Sequence, residues 1–466
     1  MKLPTSTFHP SFSFSRTVVA RRYAGTFKNS EILLKPQIDV NGIIENYSKY
    51  EESIIRRQLP QETLYDLKFI VENRPKQLEI SQKMSVLKGE RNKLGEQMKK
   101  ERSPEIKDRL ISIKSELKPL ESIANELTEK IYSKAESLPN LLDETVPVDP
   151  LKNDIVHFIN CTSEDDAMTK KPRTKYDHKE IGEKLKIMDF ETASRISGSS
   201  WYYLIGDGAL LEQALVQYAL SKARKRGYKM VVPPSIVRSE IVRACGFRPQ
   251  DQNNEKQIYE LVDENRSLTG TAEIPLGALH SSTVFDSVTN FPIKYVGVSR
   301  SYRAEAGASG KDTKGLYRVH EFTKVELFHF TTASNGPSEL EELKELQIEV
   351  ITELGLSAKV LNMATSDLGA PAMKKYDIEA WMPGRGNWGE LTSSSNCGDF
   401  QSRRLGIRHH NKEQKMTHIH TLNGTCMAVP RVIIALIEQN YDPETESIRI
   451  PEVLQPYMEK DSITKN

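Results

Sequence analysis

The chain has 466 residues, room for two or three domains with ample cores, and its 65 Lys and Arg against 64 Asp and Glu leave a formal net charge of +1. That balance excludes a globally basic nucleic-acid coat, so polyanion binding has to come from local patches. The four cysteines, Cys161, Cys245, Cys397 and Cys426, form no CxxC pair and indicate a reducing compartment, and no apolar run approaches the roughly 18 to 20 residues of a membrane span, so no membrane role is expected.

Residues 1–30 carry Lys2, Arg16, Arg21, Arg22 and Lys28, many Ser and Thr, and no acid before Glu31. This is the composition of a mitochondrial presequence, with Arg22-Tyr23-Ala24 resembling a processing site; a disordered basic terminus is the plainer alternative. Residues 31–150 form a first domain. Its arm, about 73–136, is a helical hairpin: Leu110, Ile113, Leu117, Leu120, Ala124, Leu127 and Ile131 recur at steps of three and four. Ile80, Met84, Leu87, Leu94 and Met98 do the same in the first helix, with Arg91 in the vacant slot. Ser103-Pro104-Glu105 starts the second helix, and Pro119 is positioned to kink it. From Lys83 to Arg109 there are nine Lys or Arg and five Asp or Glu. Such an excess suits a phosphate backbone, and it equally suits a solvated coiled-coil surface.

Leu138-Pro139-Asn140 and Val146-Pro147-Val148-Asp149-Pro150 mark a domain exit, 151–175 reads as a polar linker, 176–445 as the main domain and 446–466 as a tail. Leu211, Leu215 and Tyr218 give one face of a helix that stops at Gly227, and Tyr228–Val232 is a strand running into Pro233-Pro234. Leu340–Leu354 and Val429–Gln439 are further helices and Asp377–Met382 a strand. Strands that follow one another mostly through turns favour an antiparallel sheet with helices to one side, an α+β fold.

The stretch Val298–Phe330 carries the chemistry. One apolar run ends in Arg303 and Glu305, a loop holds Gly307, Gly310 and Lys311, and a second run carries Glu321, Phe322 and Glu326. Charges among strand residues are costly unless paired or used, so the pattern indicates a site for an anionic, aromatic ligand. A Walker loop is excluded, because Glu305 stands where its first glycine belongs and Asp312 follows the lysine. No GxGxxG fingerprint replaces it. His409-His410 and His418-x-His420 lack a cysteine partner at ligand spacing, so no zinc is expected.

These segments resemble the class II aminoacyl-tRNA synthetases, and within them the bacterial-type seryl-tRNA synthetases of mitochondrial location. The helix, Gly227 and the strand ending at Pro234 resemble motif 1. Tyr302-Arg303-Ala304-Glu305 through Glu326 resembles motif 2, and Asn423-Gly424-Thr425 through Arg431 motif 3. Thr271-Ala272-Glu273, Glu390-Leu391-Thr392-Ser393-Ser394-Ser395-Asn396-Cys397 and Asp399-Phe400-Gln401-Ser402-Arg403-Arg404 are similar to the seryl signatures, and the N-terminal hairpin to the family's arm. The resemblance covers roughly residues 38 to 445.

It implies an antiparallel catalytic sheet behind a coiled-coil tRNA-binding arm, and a serine–tRNA ligase of the mitochondrial matrix working as a homodimer, with Pro234 at the interface. The substrates would be ATP, L-serine and tRNA(Ser), and the metal Mg²⁺. Arg303 would contact the α-phosphate and the serine carboxylate, since a guanidinium fork suits two oxygens. Glu305 would face the adenine amino group, Phe322 would stack on the ring, and Ala304, Val319, Leu391 and Thr392 would complete the ATP site. Arg431 would grip the γ-phosphate, while Glu390 and Ser393 would hold Mg²⁺. Thr271 and Glu273 would meet the serine amino end, Glu326 with Thr425 would close on its hydroxyl, and Ala272 and Asn423 would belong to the serine site. A site built to bind that hydroxyl rejects alanine strongly, threonine only by lack of room. Arg303, Glu390 and Arg431 would carry catalysis. Lys83, Lys88, Arg91, Lys93, Lys99 and Lys100 on the arm, with Lys311, Lys314 and Arg318 on the motif 2 loop, would touch tRNA by backbone and shape.

Plainer readings exist for several of these: Phe322 as core, the threonines as strand or turn residues, and Glu326 as a surface partner of Lys324 or Lys294. The chain also departs from the family, with Cys426 and Pro430 where many relatives have glycine and Thr392 and Trp388 where Ser and Tyr are common. These changes bear on pocket width and leave the charges and hydroxyls in place. A catalytically inactive, synthetase-like tRNA-binding protein is the alternative function.

Overall fold

The computed structural model describes residues 35–248, 257–262, 264–287, 289–304, 314–411 and 413–465. The expected presequence and the candidate site residues Glu305 and Lys311 lie outside these.

The hairpin periodicity is realised as α1 (Gln61–Lys100) and α2 (Pro104–Ser137). The first helix starts earlier than the seam indicated, because its opening turns bury Leu67 and Ile70 against Ile43, Ile54, Ile131 and Leu138 of a small basal cluster. Beyond that base only a two-helix seam is available, so Ile113 and Leu117 are buried while Ile80, Met84, Leu87, Leu94 and Met98 are covered in part. Helix α2 begins at Pro104 as expected, but Ser103 Oγ turns to the Glu105 carboxylate instead of capping a backbone N–H. The helix runs through Pro119 without interruption. Arg109 clamps Glu90 across the hairpin through two hydrogen bonds of 2.7 and 2.8 Å.

The rest of the chain is built on an eight-stranded sheet. In chain order its strands are β1 (Asp154–Ile159), β2 (Lys229–Val231), β3 (Ile293–Tyr302), β4 (Glu321–Thr331), β5 (Ala358–Asn362), β6 (Lys374–Met382), β7 (Asn387–Asn396) and β8 (His420–Ala428). Across the sheet they lie β1-β5-β6-β7-β8-β4-β3-β2, antiparallel throughout except for the parallel edge pair β2 and β3. Helices α3 (Asp207–Lys225), α4 (Gly336–Glu353) and α5 (Val429–Asn440) cover one face. There Leu215, Leu343, Leu346, Val432 and Leu436 meet Val325, Leu327 and Ile378 in the main core. Strand alternation sends Phe328 and Phe330 to the other face, where they join Ile274, Leu276, Leu405 and Ile419.

Two stretches expected to lie outside the domain belong to it. Residues 151–175, expected as a linker, supply the edge strand β1 and the helix Glu164–Lys170. Residues 446–466, expected as a tail, place Ile448, Ile450, Leu454, Met458 and Ile463 in the main core, and Lys460 pairs with Asp207 at 2.7 Å. Short apolar residues spaced among charges gave neither stretch a visible period; the neighbouring strands and helices supply the partners that order them.

The domain exit is fastened rather than loose. Buried Arg57 donates to the carbonyls of Leu368 (3.2 Å), Gly369 (3.0 Å), Ala372 (2.6 Å) and Asn140 (3.3 Å), and Asn140 Nδ2 donates to Pro371 O and Cys397 O. Such carbonyl-saturated burial is how a guanidinium leaves water without an acid beside it.

Candidate active site

Period-two alternation along β4 puts Phe322, Lys324 and Glu326 on the face opposite the helices. Strand β3 ends at Tyr302, so Arg303 lies just past it instead of within it, and its N–H donates to His320 O at 2.9 Å. The Arg303 guanidinium stands 5.3 Å from the centre of the Phe322 ring. Phe322 is half-buried and lines a cavity together with Arg303, Tyr317, Arg318, Val319, Lys324, Glu390, Leu391, Ser393, Thr425, Pro430 and Arg431. Phe322, Arg303 and Arg431, which the resemblance assigned to one ligand, thus line one cavity.

Two β-bulges shape this cavity. In β7 the pairing with β6 shifts between Glu379/Glu390 and Ile378/Thr392, leaving Leu391 extra. Residues 390 and 393 would face opposite ways on a regular strand; the bulge turns Glu390 and Ser393 to the same side. The same register pairs Thr392 with Ile378, a core residue, so Thr392 faces the helices and not the nucleotide cavity as expected. In β8 the shift falls between Thr425 and Met427, and Cys426 is the extra residue. Its sulfur lies 4.0 Å from Ala219 O of α3, away from the cavity, whereas Pro430 does line it. Of the two departures in motif 3, only Pro430 bears on pocket width.

Arg431, in the first turn of α5, donates from Nη1 to Glu390 Oε2 at 2.9 Å and to Glu390 O at 3.2 Å. Burial raises a carboxyl's pKa, but Arg431, with Lys375 and Arg303 nearby, holds Glu390 down at about 2. Asp377 sits beside Ser393 in the ladder and pairs with Lys375 at 2.7 Å. Burial, with Glu390 alongside, pushes it up to about 7 against the pull of Lys375, and its Oδ1 is buried with no hydrogen-bond partner. An ionised carboxylate, a hydroxyl and an orphaned carboxylate oxygen form a hard-oxygen donor set that fits Mg²⁺. Among the described residues no three His, Cys, Asp or Glu groups could cage a metal by themselves, and Mg²⁺ characteristically relies on one or two carboxylates plus substrate phosphates.

A second cluster adjoins the first. Glu326 is buried and pairs with Lys324 Nζ at 2.5 Å; it also accepts from Thr271 Oγ1 at 3.2 Å. Lys324 reaches Thr425 Oγ1 at 3.5 Å, and Thr425 faces Glu326 across the ladder. The Lys324 partner weighed in the sequence is thus real, but the pair is in the interior, while Lys294 is taken by Glu342. Glu273 is buried at the head of the short helix Glu273–Gly277, and its Oε1 accepts from Gln401 Nε2 (2.7 Å) and Asn423 Nδ2 (2.9 Å). Burial, then the neighbouring Glu326, pushes its carboxyl up to about 7. Arg303 lines both the nucleotide cavity and a wider one running past Gly270 and Ile274 to Arg57 and Pro139.

Other expected residues sit further off. Ala304 donates its N–H to Gln257 O at 3.1 Å and does not line the nucleotide cavity. Lys314 pairs with Asp177, and Arg318 lines the nucleotide cavity although the loop reading directed it to tRNA. On the arm, Lys83, Lys88 and Lys99 pair with Glu79 (2.7 Å), Glu121 (3.0 Å) and Glu96 (2.6 Å), all at the surface, and Arg91, Lys93 and Lys100 are exposed. Tyr317, Lys375, Asp377 and Gln401 escaped the sequence reading as site residues. Lys324 could have been placed by the alternation Phe322, Lys324, Glu326; Lys375 and Asp377 on β6, Gln401 on the helix Phe400–Arg404 and Tyr317 in the bend before β4 are brought in by contacts that no local pattern announces.

Residues 258–440 match the family model "tRNA synthetase class II core domain (G, H, P, S and T)". The chain is 47% identical to the mitochondrial serine–tRNA ligase of Saccharomyces cerevisiae, over 95% of this chain and 99% of that one. It is 37% identical to the serine–tRNA ligase of Treponema denticola over 91% of this chain and 100% of the other. Among solved structures it resembles seryl-tRNA synthetase from Pyrococcus horikoshii complexed with ATP, with a TM-score of 0.81 and 32% identity, covering 92% of this chain and 100% of that one.

Proposed function

The chain belongs to the seryl-tRNA synthetase family of class II aminoacyl-tRNA ligases, and we propose that it joins L-serine to ATP as seryl-adenylate and passes the seryl group to tRNA(Ser) in the mitochondrial matrix. The observation that carries this is the junction at Arg303 of two clusters: an aromatic, cation-rimmed cavity sized by bulges, and a buried hydroxyl-binding pair.

In the first step a serine carboxylate oxygen attacks the α-phosphorus in line and pyrophosphate leaves. Little covalent work falls to the protein, so orientation and charge neutralisation dominate. Arg303 spans the attacking carboxylate and the α-phosphate, with Phe322 beneath the adenine. Val319 and Leu391 flank the ring and Glu305 takes the adenine amino group. Arg431 would turn from Glu390 to the γ-phosphate, and Glu390 with Ser393 would hold Mg²⁺. Bound Mg²⁺ supplies further neutralisation of the triphosphate. Glu326 and Thr425, tuned by Lys324, accept and donate to the serine hydroxyl, while Thr271, Glu273 and Asn423 receive its ammonium group. Alanine leaves the Glu326 pair without its polar guest, a penalty worth about 10⁴ in discrimination in comparable sites.

Serine-dependent ATP–pyrophosphate exchange by the purified chain tests the first step. Arg303→Ala is expected to lower it by about 10² to 10³, the usual loss for one preorganised charge contact. No exchange from the intact chain, with tRNA binding retained, would establish the inactive tRNA-binding alternative instead.

A further inference from the structure

Strands β7 and β8 are neighbours only from Ser394/Gly424 to Asn396/Leu422. Past that point they part: β7 continues along β6 and β8 along β4, each through its bulge. The nucleotide cavity occupies the resulting fork, with Glu390, Leu391 and Ser393 on one tine, Thr425 and Ala428 on the other, and Arg431 in the helix α5 that follows it. At the crotch, from the helix side, stands Gln347 of α4, fully buried. Its Nε2 donates to Ser393 O at 2.8 Å and to Thr425 O at 3.0 Å. Carbonyl oxygens only accept, so the amide must present its NH₂ to both, and its Oε1 is left buried without a partner. An orphaned amide oxygen is costly and needs a compensating reason.

We propose that Gln347 is a positioning residue for both substrates at once: it cross-links the two diverging strands by their backbones and so sets the separation between Ser393, on the phosphate and metal side, and Thr425, on the serine side. Where ladder hydrogen bonds run out, a side chain donating to both strands takes over their task. Gly424 belongs to the same device, because a Cβ there would lie 3.2 Å from Leu343 Cδ2 and 3.3 Å from Gln347 Nε2, and the amide would have to give way by a few tenths of an ångström. The inference rests on the roles given above to Ser393 and Thr425.

The test replaces the donor while keeping volume, Gln347→Met, with Gln347→Leu as a second variant and Leu346→Ala as a control that destabilises the same buried helix face. Exchange kinetics and calorimetric binding of Mg-ATP and of a non-hydrolysable seryl-adenylate analogue are measured below the Tm of each. The expected result is a rise in KM for both ATP and serine, by roughly 10-fold to 100-fold as for other supports of liganding residues, with a smaller change in kcat and no such rise in Leu346→Ala. A Gln347 variant that loses Tm like the control while keeping both KM values, or that shifts only one of them, overturns the proposal. Absence of exchange from the wild type would sink the serine-activation reading instead, and Mg-ATP binding to wild type and variant would then decide the role of the fork alone.

Discussion

Glu273 is the residue whose state ordinary pH controls. With its carboxyl at about 7 against a usual 4.5, it is largely neutral in mildly acidic solution and anionic above. Serine brings an ammonium group, so KM for serine is expected to fall as pH rises through about 7, and Glu273→Gln to remove that slope. Stability moves oppositely. Between pH 4.5 and 7 the folded chain holds a proton the unfolded chain has released, so unfolding becomes easier with rising pH, and the variant is expected to flatten this in pH-dependent melting. Glu390 has the contrary sign, since its depressed carboxyl contributes stability above its usual range that is lost only as pH falls towards about 2. The sequence could name Glu273, Glu326 and Glu390 as site carboxylates. It could not assign the charge of Glu273 or Glu390, because burial and neighbours on other elements set it, Glu326 for the first and Arg431 for the second.

At the scale of elements, the arm and the sheet divide the labour. The pairs at Lys83, Lys88 and Lys99 are exposed to solvent and screened by it, so phosphates can displace them. Replacing residues 83–109 with a short turn, which keeps the basal cluster of α1 and α2, is expected to abolish tRNA charging while leaving ATP–pyrophosphate exchange within about twofold, since Coulombic coupling across that distance is screened. Equal loss of both would remove the arm from tRNA recognition. The hairpin was legible because a seam of three-and-four spacing is a local pattern, as was the helix ending at Gly227. The bulges at Leu391 and Cys426 were not, because a bulge is defined by the partner strand. The consequence is concrete: Thr392, adjacent in sequence to Ser393, faces the core, and Asp377, far away in sequence, stands beside it.

For the whole molecule the open question is assembly. Among the described residues edge strand β2 has one side without a strand partner, and around it Met230 is 53%, Val232 95% and Ile236 45% exposed. A bare sheet edge with apolar residues is a liability in a monomer and is normally covered. We propose that a second copy of this chain covers it, with Pro233-Pro234 beside the contact. Val232→Glu is expected to shift the chain to monomer in sedimentation at micromolar concentration, and a dimer that persists unchanged would move the interface elsewhere.

Taken alone, the sequence determined the class of chemistry, the order of the three motifs, the coiled-coil arm and most of the helices, because these depend on residue type and short-range period. Tertiary structure decided which neighbours are truly neighbours. It made a strand of part of the supposed linker, drew Ile448, Ile450, Leu454, Met458 and Ile463 of the supposed tail into the core and buried the Lys324–Glu326 pair. It also placed Gln347, otherwise one more polar residue of an amphipathic helix, between two strands that separate around the substrates. The reason is the same in each case: register, burial and charge state are properties of contacts between distant segments, and no single segment contains them.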